Sequence, residues 1–256
     1  MATPRALIFS GYGLNCEEET KTGLSLAGAT ADIVHIEDVA KNPSMLAKYQ
    51  IAMFPGGFSY GDDTGAGKAY GARVKHHLGD ELTKFLERDT LMAGICNGFQ
   101  ILTAAGILPG ALITNESARY SCRWVDMEVV GDTPWLKGIT KVSLPIGHGE
   151  GRYVDTEANL DTLEGTGRVA LKYVAGEMSE YQGLPYNPNG AMRDIAGVTG
   201  KEGRILGLMP HPDRATFFEQ RPDWTVLREQ LEREGKKVPV YADGMAVFRN
   251  AVQYFS

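Results

Sequence analysis

Cysteine is scarce in this 256-residue sequence, and long apolar runs are absent from it. Three cysteines, Cys16, Cys96 and Cys122, are too few for a disulfide framework, and without a Cys-x-x-Cys pair they do not suggest structural zinc. No stretch approaches the roughly 18 apolar residues of a membrane span, and the N-terminus lacks the pattern of a signal peptide. We therefore expect a cytoplasmic protein that does not contact membranes.

An excess of basic residues is also missing. The chain has 26 Lys and Arg against 32 Asp and Glu, a formal charge of −6, which does not favour a nucleic-acid partner. Its 43% hydrophobic and 23% charged residues are typical of a globular protein. No linker or internal repeat divides the chain, so we expect a single domain over residues 1–256.

Short apolar runs alternate with helical patterns through the first hundred residues. This alternation predicts an α/β fold with a doubly wound, mostly parallel sheet flanked by helices. Residues 123–174 contain runs that alternate or are apolar without clear helices between them, which predicts antiparallel additions to the sheet. A polar insertion is expected near residues 219–240, followed by an amphipathic C-terminal helix that begins at about residue 244.

The sequence Gly94-Ile95-Cys96-Asn97-Gly98 places a cysteine between an apolar strand and a helix. Gly-x-nucleophile-x-Gly in this context is typical of a nucleophile elbow, a tight turn that exposes the reactive atom. The start of the following helix favours a thiolate. A buried structural cysteine is the usual alternative, but the two glycines favour Cys96 as a nucleophile.

A cysteine nucleophile needs a base that a third group orients. Of the five histidines, His76 and His77 lie in a charged helical pattern and His35 lies in a strand. His211 is the best candidate because "LGLMPHPDR" places it just past a buried strand. Prolines on both sides stiffen its backbone. Residues two apart in an extended segment point to the same side, so Asp213 is expected to orient His211.

A third strand is predicted to end at "MFPGGFSYGDD". The N–H groups of Gly57 and Asn97 are expected to form an oxyanion hole. The nearby Gly61 and Gly67 enclose five residues rather than four, and Ala69 follows Lys68, so the phosphate-loop pattern fails. Because ligands bind at the carboxyl ends of strands in open α/β sheets, these features together predict a Cys–His–Asp acyl-transfer enzyme.

The segments "GICNGFQ" and "MPHPDR" resemble the nucleophile and histidine motifs of the class I, triad-type glutamine amidotransferases. The resemblance implies a flavodoxin-like sheet and attack of Cys96 on the side-chain amide of L-glutamine. His211 would protonate the departing ammonia. It also implies an oxyanion hole at Gly57 and Asn97, and substrate contacts from Gln100 and Phe58.

Six segments in order, two of which extend the motifs just named, resemble the glutaminase components of phosphoribosylformylglycinamidine synthase, an enzyme of purine biosynthesis. They are "GLNCEEET", "PGGFSYGDD", "GICNGFQILTAAGILPG", "PIGHGEGRY", "NPNGAMRDIAGV" and "GRILGLMPHPDR". The resemblance implies a synthetase partner, with a small accessory subunit, that uses ATP and Mg²⁺ to convert formylglycinamide ribonucleotide to formylglycinamidine ribonucleotide. No cofactor or metal is expected in this chain, and its early first strand suggests a free-standing subunit.

Some residues in these segments depart from the family or receive no role. The family usually has glutamate at the position of Asp213, so the strength of the third triad member is an open question. His148 and Glu150 are assigned no chemistry, and Cys16 is expected to be structural or interfacial. Two alternatives remain: another class I amidotransferase or a cysteine hydrolase or peptidase of the same superfamily, and a non-catalytic module that keeps the fold.

Overall fold

The computed structural model describes residues 3–200 and 202–256 of the chain. Eleven strands and eight α-helices are found in these residues. The strands are β1 (Arg5–Ser10), β2 (Thr30–His35), β3 (Ile51–Phe54), β4 (Leu91–Ile95), β5 (Ala111–Ile113), β6 (Ser121–Val129), β7 (Lys141–His148), β8 (Arg152–Val154), β9 (Val169–Val174), β10 (Ile195–Gly200) and β11 (Ile205–Leu208). The helices are α1 (Glu17–Ala27), α2 (Ile36–Lys41), α3 (Lys68–Glu87), α4 (Asn97–Ala104), α5 (Glu157–Gly165), α6 (Glu177–Gln182), α7 (Trp224–Arg233) and α8 (Gly244–Gln253).

Nine strands form one sheet in the order β2-β1-β3-β4-β11-β10-β9-β6-β7. The first five of these strands are parallel to one another, and the remaining neighbours pair in antiparallel fashion. Strands β5 and β8 form a separate antiparallel ribbon. The architecture confirms the predicted α/β sheet with antiparallel additions.

The central parallel strands are buried along their whole length. Every residue of β3, β4 and β11 is buried, as expected for parallel strands that are covered on both faces. Phe9 of β1 stacks on Phe54 of β3, with ring centroids 4.2 Å apart. This packing fixes the carboxyl ends of the parallel strands at one edge of the sheet.

The expectation that no helices interrupt the later strands is wrong. Helix α5 lies between β8 and β9, and α6 follows β9. Helix α5 buries only Leu160 and Leu163, which is too few apolar positions for a clear periodic pattern. Helix α6 has a glycine before its first turn, and Asp126 of β6 accepts hydrogen bonds from its N–H groups at Met178 (2.9 Å) and Ser179 (3.2 Å). Because that acid lies 52 residues away, its contribution to the start of the helix cannot be read from the local sequence.

The C-terminal part of the chain contains two helices of opposite character. Helix α7 lies in the segment expected to be a polar insertion, and none of its residues is buried. Helix α8 buries Met245, Val247 and Phe248 among others, as its amphipathic pattern predicts. No helix in residues 3–200 and 202–256 has the length and apolar character needed to span a membrane.

Helices α1 and α8 pack closely at Gly23. A Cβ atom at Gly23 would lie 2.6 Å from two ring carbons of Phe248, which is fully buried. The absent side chain therefore allows the two helices to approach each other. Helix α8 also contacts the 3-10 turn Pro212–Arg214, so the α1–α8 pair supports the segment that follows β11.

We expect Gly23→Ala to destabilise the protein by about 1–3 kcal/mol, because the added methyl group overpacks against Phe248. Gly79→Ala is the matched control, since an added Cβ there meets no atom within 4 Å. In the middle of α3 this control should stabilise by about 0.5–1 kcal/mol through higher helix propensity. Urea denaturation measures both changes, and equal stability of Gly23→Ala and the wild type would contradict the packing described.

Candidate active site

Cys96 stands at the sharp turn between β4 and α4. Its backbone angles are φ 52° and ψ −108°, a conformation that is rare and strained for a residue with a side chain. The turn is tight because a Cβ at Gly98 would lie 1.8 Å from the carbonyl oxygen of Phe54, and one at Gly94 would lie 2.5 Å from that of Gly98. Only glycines fit on either side of Cys96, which is the geometry of a nucleophile elbow.

His211 follows β11 and is held on both its backbone and its side chain. Its N–H donates to the carbonyl oxygen of Pro145 (2.8 Å). Its Nδ1 lies 3.1 Å from Oδ1 and 3.4 Å from Oδ2 of Asp213, and both side chains are almost completely buried. The structure thus places the shorter acid in direct contact with the imidazole, without the additional methylene of a glutamate.

The charges around His211 favour its protonated form. Burial by itself lowers the pKa of His211, but the negative charges of Asp213 and Cys96 outweigh burial and hold that pKa well above its usual range. The carboxylate selects the tautomer with the proton on Nδ1 and stabilises the imidazolium. Cys96 and His211 can therefore form a thiolate–imidazolium pair, in which the thiolate is the nucleophile and His211 the acid.

Gly57 and Asn97 follow the neighbouring strands β3 and β4, so their N–H groups lie at the same edge of the sheet. Within residues 3–200 and 202–256, no hydrogen bond uses the N–H of either residue. The turn that contains Gly57 is held by the segment between β1 and α1, because the N–H of Phe58 donates to the carbonyl oxygen of Gly13 at 2.9 Å. Both N–H groups can accordingly donate to a developing oxyanion.

Gln100 lies one helical turn beyond Cys96, with a buried side chain. Its Oε1 accepts from Nδ2 of Asn97 (2.7 Å), and its Nε2 donates to the carbonyl oxygen of Glu150 (2.6 Å). Gln100 therefore connects α4 to the segment after β7. Phe58, by contrast, is 39% exposed and stands at the mouth of the site.

Tyr120 is a site residue for which the sequence gives no signal. Its ring lies 6.2 Å from that of Phe58, and a Cβ at Gly147 would lie 2.8 Å from its hydroxyl oxygen. The carbonyl oxygen of Gly147 is in turn 3.7 Å from Sγ of Cys96. The Tyr120 ring thus lies next to Phe58 and to Gly147, whose carbonyl oxygen contacts Cys96.

His148 belongs to the segment "HGEGR", to which the sequence assigns no chemistry. Its Nδ1 lies 3.2 Å from Oδ1 of Asn115, which also accepts from the N–H of Gly151 (2.9 Å). Asn115 Oδ1 is thus an acceptor, so the proton of His148 is on Nδ1. Burial first, and then the charge of His211, lower the pKa of His148 to about 3. A neutral histidine therefore lies beside the cationic His211.

Cys16, together with His211 and Asp213, forms a group of side chains that could in principle bind a metal ion. Its sulfur and the ligand atoms of His211 and Asp213 lie within 4.8 Å of one another. Nη2 of Arg214, however, donates to this sulfur at 3.0 Å. A guanidinium at that distance opposes a second cation, so the arrangement does not fit a metal ion. Cys16 is fully buried, which fits the structural alternative of the two that the sequence leaves open.

An elbow cysteine beside a buried histidine–acid pair, at the carboxyl ends of parallel strands, is the arrangement found in class I glutamine amidotransferases. The model of the CobB/CobQ-like glutamine amidotransferase domain matches residues 3–255. A glutamine amidotransferase of Methylobacillus flagellatus shares the fold, with a TM-score of 0.53 and 11% identity over 98% of this chain and 94% of that one.

More similar relatives define the family further. The phosphoribosylformylglycinamidine synthase subunit PurQ of Methanococcus maripaludis is 42% identical over 99% of this chain and 98% of its own length. PurQ of Dehalococcoides mccartyi is 38% identical over 99% of this chain and 98% of its own length. A chain in the structure of PurLQS from Thermotoga maritima has a TM-score of 0.74 and 32% identity, with complete coverage of both chains. The chain belongs to the PurQ family of glutamine amidotransferases.

We expect Asp213→Asn to lower kcat for glutamine hydrolysis by roughly 10²- to 10⁴-fold, because an amide cannot stabilise the imidazolium. Asp213→Glu should also be slower than the wild type, since the buried carboxylate already contacts Nδ1 and an added methylene overpacks the site. Steady-state ammonia release measures both variants. A glutamate variant as fast as the wild type would contradict the fit described for Asp213.

His148 should make folding sensitive to acid. Its pKa in the folded protein lies below its unfolded value, so below pH 6.5 the unfolded chain binds a proton that the folded chain does not, and stability falls as pH decreases. Between pH 7 and pH 5 this contributes a loss of about 2 kcal/mol. His148→Gln should lack that loss in urea denaturation, whereas the control His76→Gln, at an exposed position on α3, should retain it.

Proposed function

We propose that this chain hydrolyses L-glutamine through a thioester on Cys96 and delivers the ammonia to a synthetase subunit. The synthetase would use it to convert formylglycinamide ribonucleotide to formylglycinamidine ribonucleotide, with ATP, in de novo purine biosynthesis. The observation that carries this proposal is the strained elbow at Cys96 beside the His211–Asp213 pair, in a chain of the PurQ family.

The first half of the reaction forms the thioester. The Cys96 thiolate attacks the side-chain amide carbon of glutamine, and the N–H groups of Gly57 and Asn97 stabilise the resulting oxyanion. His211 donates its proton to the amide nitrogen, the C–N bond breaks, and ammonia leaves. Asp213 stabilises the charge on His211 before this transfer.

The second half releases glutamate. Neutral His211 removes a proton from water, the water oxygen attacks the thioester, and the C–S bond breaks to restore the thiolate. One water is consumed, and one glutamate and one ammonia are formed in each cycle. Gln100 and Phe58 are proposed to contact the substrate, Gln100 from the wall of the site and Phe58 from its mouth.

The partner is proposed to be the synthetase subunit of the same complex, together with a small accessory subunit. The naming of the relatives as synthase subunits and the PurLQS structure support a complex. ATP and Mg²⁺ would bind to the synthetase, and this chain would need neither cofactor nor metal. We place the activity in the cytoplasm, where the three cysteines, unpaired in the structure, would stay reduced.

Two rival functions are less well supported. A cysteine peptidase or hydrolase would also use the elbow and His211, but the likeness to PurQ extends over nearly the whole chain. A non-catalytic module was suggested only by aspartate in place of the family's usual glutamate at position 213. Asp213 contacts His211 directly, which removes that support. Ammonia release from glutamine, measured against peptide cleavage, separates the first rival from the proposed function.

We expect a glutamine-analogue affinity label to form its adduct on Cys96, as located by mass spectrometry. Cys96→Ala should lower glutamine-dependent synthesis by the complex by at least about 10³-fold. The same variant should keep synthesis from added ammonium, because the synthetase would be intact.

Cys122→Ala is the matched control for this experiment, since Cys122 is an exposed cysteine. In this variant the affinity label should still modify Cys96, and the rate of glutamine-dependent synthesis should match that of the wild type. Labelling at Cys16 or Cys122 while Cys96 stays unmodified would refute the assignment of the nucleophile. Full glutamine-dependent synthesis by Cys96→Ala would refute the glutaminase role itself.

A further inference from the structure

Cys16 lies immediately before α1 and is completely buried, although it is not the nucleophile. Its sulfur accepts a hydrogen bond from Nη2 of Arg214 (3.0 Å), across 198 residues of chain. On its other side the thiol donates to Oδ1 of Asn15 at 3.4 Å. The thiol thus has a defined donor and a defined acceptor, unlike a cysteine that only fills space.

The backbone of Cys16 is fixed to the turn that carries Gly57. The N–H groups of Cys16 and Asn15 both donate to the carbonyl oxygen of Gly56, at 3.2 and 3.1 Å. Any movement of the start of α1 therefore moves the turn with it. The proposed oxyanion donor at Gly57 is the next residue along this turn.

Gly56 also shows how closely the sulfur approaches the histidine. A Cβ at Gly56 would lie 2.5 Å from Cε1 of His211 and 3.2 Å from Sγ of Cys16. The imidazole and the sulfur are therefore packed side by side against the same backbone atom. Removing the sulfur would leave space next to an imidazole that is otherwise enclosed.

Arg214 extends the effect of the sulfur to the acid of the triad. It is the last residue of the 3-10 turn Pro212–Arg214, which contains Asp213. The hydrogen bond to Cys16 holds this turn against the start of α1. The thiol of Cys16 is therefore in contact with the surroundings of His211 and with the turn that contains Asp213, whereas the Gly57 turn is bonded only to the backbone of Cys16.

We propose that Cys16 is a positioning residue for His211: its sulfur holds Arg214 and encloses one side of the imidazole. This inference rests on the proposed function, since its effect is read through glutamine hydrolysis. Cys16 does not touch the substrate in this account. A misplacement of His211 lowers kcat, because a shift of about 1 Å in a catalytic group costs on the order of 10²-fold in rate.

The main test compares Cys16→Ala and Cys16→Ser with the exposed-cysteine control Cys122→Ala, in the full chain with its synthetase subunit. Cys16→Ala should lower kcat for glutamine by roughly 10- to 100-fold and change KM by less than about 2-fold. Cys16→Ser keeps a hydrogen-bond acceptor for Arg214, so its kcat should be much closer to that of the wild type than the kcat of Cys16→Ala is. Cys122→Ala should match the wild type.

The pH profile gives a readout that a merely structural role would not change. The titratable and charged groups around His211 are Asp213, Cys96, Cys16, Arg214, Tyr120 and His148. Of these, Asp213, Cys96 and Cys16 favour the imidazolium. Cys16→Ala removes one of them, so the basic limb of kcat/KM should move to lower pH, because His211 loses its proton earlier.

A double-mutant cycle tests whether the effect passes through Arg214. If it does, Cys16→Ala combined with Arg214→Ala should be no more than about 2-fold slower than Arg214→Ala alone. Fully multiplicative losses would overturn this route. A Cys16→Ala variant with wild-type kcat and an unmoved basic limb would overturn the whole inference.

Two further results need an interpretation: misfolding of Cys16→Ala, and absence of glutamine hydrolysis by the wild-type complex. If circular dichroism shows that Cys16→Ala does not fold, Cys16→Ser decides: kcat within about 5-fold of the wild type, with the basic limb of kcat/KM at lower pH, supports the inference, and any other result overturns it. If the wild-type complex itself releases no ammonia from glutamine, the proposed function fails instead. The two failures are therefore distinguishable.

Discussion

The backbone hydrogen bond from Cys96 N–H to the carbonyl oxygen of Leu208, 2.8 Å long, joins the ends of the two strands that lead to Cys96 and to His211. It continues the parallel pairing of β4 with β11, in which Ile95 lies opposite Leu208. Because the register of these strands is fixed, the first residues beyond each strand must leave the sheet at the same edge. The turns that carry Cys96 and His211 are therefore held beside each other by the pairing of β4 with β11.

The layers around the sheet complete the site from outside. Helix α8 supports the histidine turn, since a Cβ at Gly244 would lie 2.1 Å from the carbonyl oxygen of Pro212. From the antiparallel half, Pro145 of β7 accepts the N–H of His211, and Gly147 of β7 contacts Cys96. The antiparallel strands thus extend the sheet and also form one wall of the site. Helix α7, without a buried residue, makes no comparable contribution.

The sequence predicts the parallel half of the fold and the elbow, because both depend on short-range patterns: apolar runs, flanking glycines and the prolines around His211. It does not predict α6, whose cap is Asp126 from another strand, nor the place of Tyr120, which has no motif of its own. Cys16 gives the same lesson. The sequence leaves Cys16 as structural or interfacial, and only the fold brings its sulfur to Arg214, because that contact depends on how distant segments pack.

The long sequence separation between Cys16 and Arg214 has a consequence for the synthesis of the protein. Contacts across 198 residues cannot form until most of the chain has left the ribosome. The strand that carries Cys96 is made early, but its base and the support of that base are made late. A nascent or truncated chain therefore has a cysteine without a proton donor. Hydrolysis of glutamine, with its release of ammonia, can begin only in a chain whose last fifth has been made and folded.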